Sequence, residues 1–207
     1  MNSFLSVREA KEKLISELST VTGFKYLKSG SLKKTVKDLI FEINFFSSKW
    51  NSPDSIEINA EVRILYKKFG KGSDVNNTIG FMTYRPDNFW YDITTERNLL
   101  ETRDLLAQRF QETVLDLVHR FEEDETAAVR YLLSTGFEPY HVSLDFIADK
   151  LGQTAILEKA QQIYDELSEE QKEQVAQYKN GARNMSWMLH RCNLKYIVDN
   201  CLYQQKN

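Results

Sequence analysis

From Ser55 to Lys67 the alternation is the clearest in the chain: Ile56, Ile58, Ala60, Val62, Ile64 and Tyr66 are opposed by Glu57, Asn59, Glu61, Arg63 and Lys67. Successive side chains of an extended strand point to opposite faces, so this spacing builds one apolar and one polar face. Wound as a helix, the same residues would scatter around the cylinder. A strand wet on one side belongs to an antiparallel sheet, because parallel sheets are covered on both. Just before it, Leu39, Phe41, Ile43 and Phe45 share one face and Glu42, Asn44, Phe46, Ser48 and Trp50 the other, and Asn51-Ser52-Pro53-Asp54 supplies the turn that makes a hairpin of the two runs.

The surrounding patterns complete the sheet. Phe24, Tyr26 and Ser31 to Lys37 read as short strands around the Ser29-Gly30 turn, Thr78 to Tyr84 as another, and Phe89 to Ile93 as a last short strand or an irregular aromatic segment. Ahead of them, Ser6-Val7-Arg8-Glu9 is a capping box, and Val7, Ala10, Leu14, Leu18 and Val21 mark an amphipathic helix that Gly23 stops. After residue 94 the period is 3.6 throughout. Leu99, Leu106, Phe110, Val114, Leu117 and Phe121 line one long helix; Asp124, Ser143 and Ser168 open others, and a helix from Ser186 to Tyr203 closes the sequence. The expected fold is α+β: an antiparallel sheet of four or five strands with an N-terminal helix over residues 1–93, then an all-helical half over 94–207 that packs on or beside it.

Of 207 residues, 42% are apolar, with only eight Gly and three Pro, a composition that excludes disorder and low-complexity architectures. No run approaches the roughly 18 apolar residues needed to span a bilayer, and Met1 to Ser6 shows no basic segment leading into an apolar one. A cytoplasmic location without membrane contact is therefore expected. Cys192 and Cys201 lie nine apart on the expected last helix, about 13.5 Å at its rise per residue, too far for a disulfide. Both read as small buried hydrophobes.

Few patterns carry chemistry. His119, His141 and His190 show no i, i+4 pair, so neither a metal nor another cofactor is expected. Phe69-Gly70-Lys71-Gly72-Ser73 lacks the spacing of a phosphate-binding loop. No spacing singles out a nucleophile or an acid/base pair, and no catalytic residue is assigned. Charge is segregated instead: residues 1–93 hold 14 Lys and Arg against 11 Asp and Glu, the remainder 13 against 19. An acidic chain without an arginine-rich element is a poor nucleic-acid binder, although Lys25, Lys28, Lys33, Lys34 and Lys37 precede any acid in their segment.

The wet sheet face is the informative anomaly. It would gather Asn44, Phe46, Ser48 and Trp50 from one strand with Asn59, Glu61 and Arg63 from the next, and a second patch at Tyr84, Arg85, Trp90 and Tyr91 has the same character. Large aromatics among hydrogen-bonding groups are what recognition surfaces use. The competing reading is that the helical half packs on this face as a second core layer.

Gly23-Phe24-Lys25, Ile43-Asn44-Phe45-Phe46-Ser47-Ser48-Lys49-Trp50 and Ile56-Glu57-Ile58-Asn59, in that order, resemble a bacterial family known as domain of unknown function 4304. The resemblance spans about residues 5–120 and implies a helix leading into an antiparallel sheet, without implying an activity. Three functions follow as expectations. The leading one is a non-enzymatic protein-binding module, such as an immunity protein that neutralises a toxin. The second is a small-ligand binder or enzyme with a pocket between the sheet face and the C-terminal helices. The third is a weak nucleic-acid binder through Lys25 to Lys37.

Overall fold

The structure is a computed structural model that describes residues 6–69, 78–84, 90–135, 142–181 and 192–204. It is α+β, with an N-terminal helix, an antiparallel sheet and helices thereafter. In order these are α1 (Val7–Thr22), β1 (Lys25–Tyr26), β2 (Ser31–Val36), β3 (Leu39–Ser47), β4 (Glu57–Tyr66), β5 (Thr78–Tyr84), β6 (Tyr91–Asp92), α2 (Glu96–Phe110), α3 (Asp116–Glu123), α4 (Glu125–Ser134), α5 (Leu144–Leu151), α6 (Leu157–Asp165), α7 (Glu169–Lys179) and α8 (Cys192–Asp199).

The sheet has six strands, one more than the upper expected number, because both β1 and β6, short strands in segments read as such, pair into it beside the four longer ones. Its order is β1-β2-β3-β4-β5, with β6 also on β4. The hairpin of β3 and β4 runs in register from Leu39 opposite Tyr66 to Ser47 opposite Ile58. One face is dry: Phe41, Ile43, Ile58, Ala60, Val62 and Ile64 are fully buried. Helices of the same unit supply the cover. Phe121 of α3 lies on Phe41 with ring centroids 6.2 Å apart, Phe110 of α2 meets Tyr84 edge-on at 4.9 Å, and Lys11 of α1 donates to the Phe45 carbonyl at 2.8 Å.

The capping box of α1 forms as read: the Ser6 hydroxyl accepts from the Glu9 N–H and Glu9 reaches back to the Ser6 N–H, while Gly23 closes the helix in the left-handed region at φ 69°. Its buried stripe is Ala10, Leu14, Ile15 and Leu18, whereas Val21 is largely exposed on the last turn. The long helix expected after residue 94 is interrupted by a π turn at Gln111–Leu115. There the Thr113 hydroxyl meets both the Tyr84 hydroxyl (2.5 Å) and the Arg109 carbonyl (2.5 Å). Its bond to that carbonyl accompanies the widened ring, a site-specific event that periodicity does not record.

The chain forms two compact units that meet in sequence between Ala128 and Val129, inside α4 and well past the change of period at residue 93. The second unit holds a core of Tyr164, Leu167, Val175, Leu194 and Val198. The Ser168 capping box forms on α7 with Gln171 as partner. The last helix ends earlier than its apolar pattern suggests. Leu202 N–H donates to the Ile197 carbonyl (3.0 Å) and Cys201 N–H to that of Val198 (3.2 Å), with Cys201 at φ 52°. This pair of bonds with a left-handed residue closes a helix. Cys201 thus lies beyond α8, and it is exposed and unpaired rather than a buried hydrophobe. The Cys192 side chain, His141, His190 and the Gly70 to Asn77 loop lie outside the described residues.

Candidate functional site

The face opposite the dry one is built by register. Across β1, β2, β3 and β4, Lys25 stands opposite Lys33, Lys33 opposite Glu42, and Glu42 opposite Arg63. In the next row, Ser31, Asn44 and Glu61 are neighbours, and in the row beyond, Phe46 faces Asn59. The expected set Asn44, Phe46, Asn59, Glu61 and Arg63 therefore shares one surface.

The charges at its centre are compensated within the face. Arg63 Nε lies 2.6 Å from Glu61, two residues along the same strand, and Lys33 lies 3.8 Å from Glu42 on the neighbouring one. Lys34, one residue on from Lys33, points to the other side and pairs with Glu122 of α3 at 2.9 Å. The basic run from Lys25 to Lys37 is therefore divided between the two faces, as strand alternation requires, and does not form one continuous phosphate-binding strip.

Two aromatics stand clear of the core. Phe46 is 44% exposed and Trp50 78% exposed, with the Lys49 ammonium 4.9 Å from the centre of the Trp50 ring. What places Trp50 is the turn between β3 and β4. Ser48, expected as a contact residue, is buried, and its hydroxyl accepts from the Trp50 N–H at 3.2 Å. Asn51 then locks the turn: its side chain donates to the Glu57 carbonyl and accepts from the Glu57 N–H, both at 2.9 Å. Ser48 and Asn51 thus hold the backbone of the turn that carries Trp50; the sequence signal for them is only that Ser and Asn favour turns.

Asn59 breaks the alternation of exposure along β4. Its face neighbours Glu57, Glu61 and Arg63 are half-buried, whereas Asn59 is 6% exposed and its Oδ1 has no hydrogen-bond partner among the described residues. The cause of burial is positional. On its far side β4 pairs first with β5, ending at Ala60 opposite Tyr84, and then with β6, starting at Ile58 opposite Tyr91. The second patch read in the sequence divides: Tyr84, opposite Ala60, and Tyr91, opposite Ile58, lie on the dry face, while Trp90, half-buried, directly precedes β6. Arg85 lies outside the described residues.

Behind the sheet, burial raises the Tyr84 phenol well above its usual value, the Thr113 hydroxyl only partly opposing it. Burial likewise raises Tyr91, whose hydroxyl accepts from Arg109 at 2.8 Å. These groups pack on the dry side and belong to the core. Among the described residues no group of three or more His, Cys, Asp or Glu side chains could hold a metal ion, and no helix is long and apolar enough to cross a membrane. What the face offers is aromatic area and a carboxamide rather than an activated nucleophile. The chain matches no family model, no curated protein and no solved structure, so its resemblance to domain family 4304 rests on the short motifs alone.

Proposed function

We propose that this chain is a non-enzymatic protein-binding module, of the kind that an immunity protein neutralising a toxin represents, and that it binds through the sheet face carrying Phe46 and Trp50. One observation carries the reading: a tryptophan 78% exposed in the turn after β3, its N–H taken by the Ser48 hydroxyl, and a phenylalanine 44% exposed near the end of β3. Exposed large aromatics on a rigid element bury much area at little entropic cost and dominate interface energetics. The acidic second half, 13 Lys and Arg against 19 Asp and Glu, suits a basic partner and would act mainly on the rate of encounter.

The test uses wild type, Trp50→Ala and the Phe46→Ala, Trp50→Ala double variant as baits in native host extract, followed by direct titration with any protein retained. Both variants melt within about 0.5 kcal/mol of wild type, as expected for solvent-facing positions, and lose at least about tenfold in affinity. A partner held equally well by all three refutes the assignment of this face.

A further inference from the structure

The sequence holds a single Asn-Gly pair, Asn180-Gly181, and the fold sets it at the C-terminus of α7. Such a pair carries a reaction of its own. The main-chain nitrogen of the second residue, once it has lost its proton, attacks the side-chain carbonyl carbon of the asparagine and closes a cyclic imide; glycine, lacking a Cβ, leaves that approach unhindered. Asn180 is exposed, and its carboxamide pairs with no group among the described residues, in contrast to Asn51, whose amide is held at both ends by Glu57. Gly181 is exposed too, at φ 93° with open space where a Cβ would stand. The attacking nitrogen, however, is engaged. Gly181 N–H donates to the Tyr178 carbonyl at 3.0 Å, and Asn180 N–H donates to the carbonyls of Ala176 and Gln177, both at 3.1 Å. Tyr178 fastens this turn from the side: it packs on the core of Tyr164, Leu167 and Val175, and its hydroxyl donates to Asp199 of α8 at 2.9 Å.

We infer that Asn180 is a self-modification site, with water as its only co-reactant, and that the last turn of α7 gates the reaction. While the turn is closed, the Gly181 proton is held by the Tyr178 carbonyl and solvent base does not take it. When the turn opens, the bond from Gly181 N to Asn180 Cγ forms, the Cγ–Nδ2 bond breaks, and ammonia leaves with the transferred proton. Water then opens the imide at either carbonyl, giving aspartate at position 180 or its isomer, in which the main chain runs through Cβ. No electrons are exchanged. Either product disfavours reclosure. The new carboxylate adjoins the carbonyls of Ala176, Gln177 and Tyr178 at the negative end of the helix, and the isomer adds an atom to the main chain between the two donors that close the turn. Opening of an exposed helix end is thereby recorded irreversibly in the covalent structure.

The experiment ages the full chain at physiological temperature, in buffer and in concentrated urea, and follows asparagine, aspartate and isoaspartate at position 180 by peptide mapping with mass spectrometry. Products should form in both samples, about tenfold or more slowly in the folded chain, because reaction there waits on local opening. Tyr178→Phe removes the bond to Asp199 and should speed the folded-state reaction about threefold or more, the share of one net hydrogen bond, while leaving the rate in urea unchanged. Asp199→Ala removes the same bond from its other end and repeats the test if Tyr178→Phe folds poorly. Hydrogen exchange of the Gly181 N–H should be faster after conversion than before. No product at position 180 in urea overturns the site. Equal rates in buffer and urea, or a folded-state rate that neither variant raises, overturn the gate. Unchanged exchange at Gly181 after conversion overturns the irreversible loosening of the turn.

Discussion

Replacing Cys201 with glycine should stabilise the protein. The chain leaves α8 through the two bonds from Cys201 and Leu202 to Val198 and Ile197, and the geometry demands a left-handed residue at position 201. A residue with a Cβ pays about 1–2 kcal/mol there, from the clash with the following carbonyl. Glycine avoids the clash but has more freedom to lose on folding, about 0.4–1 kcal/mol. The difference is a gain of about 0.5–1 kcal/mol. The exposed thiol's contact with the Lys179 ammonium is lost equally in the glycine and alanine variants, so their comparison cancels it. With a urea dependence of about 2 kcal/mol per M for a chain of this size, the midpoint rises by about 0.25–0.5 M. Urea titration followed by circular dichroism, under reducing conditions, measures it. Cys201→Ala is the control, because it removes the sulfur and keeps the Cβ. Equal midpoints for the alanine and glycine variants would refute the argument, since strain at this backbone position could not then be the cause. Lys37, φ 52° in the two-residue turn joining β2 to β3, has the same conformation, and Lys37→Gly should add its own similar gain.

Phe41→Ala should cost about 3–5 kcal/mol, since Phe41 is fully buried against Phe121, and a loss under 1 kcal/mol in chemical denaturation would contradict its central place. The Tyr84 phenol is raised in the folded state and ionises near pH 10 when unfolded. Its stabilising contribution is therefore complete below pH 10 and falls as pH rises beyond that, by up to about 1.4 kcal/mol per unit. Tyr84→Phe should cost about 1 kcal/mol at neutral pH through the lost Thr113 bond and flatten the decline between pH 10 and 11, though Tyr91, also raised, keeps part of it. Asn51→Ala should lose about 1–2 kcal/mol and broaden the Trp50 fluorescence anisotropy decay, because both bonds that pin the turn depart together.

Much of the fold was legible because its signals are local. The alternation from Ser55 to Lys67 and its partner run from Leu39 specified a hairpin whose observed register keeps Phe41, Ile43, Phe45, Ala60, Val62 and Ile64 on one side. Ser6, Ser168 and Asp124 were readable as helix starts because capping needs only a hydroxyl or carboxylate three residues from an N–H. The π turn and the early end of α8 were not. Each depends on a contact made at a distance or on one residue's backbone angle: Thr113 is bonded to Tyr84 across 29 positions, and nothing in a cysteine announces a left-handed conformation. The candidate site divides in the same way. Membership of the sheet face followed from parity along β3 and β4. The turn-making role of Ser48, the burial of Asn59 and the turning of Tyr84 and Tyr91 to the dry face required the turn bonds and the pairing of β4 with β5 and β6.

That β4 is flanked on one side by two successive strands, β5 up to Tyr84 and β6 from Tyr91, has an evolutionary corollary. Each of the two strands holds its own stretch of β4 by its own backbone pairs, so selection can retune one pairing while the other, and the hairpin of β3 and β4, keep their alignment.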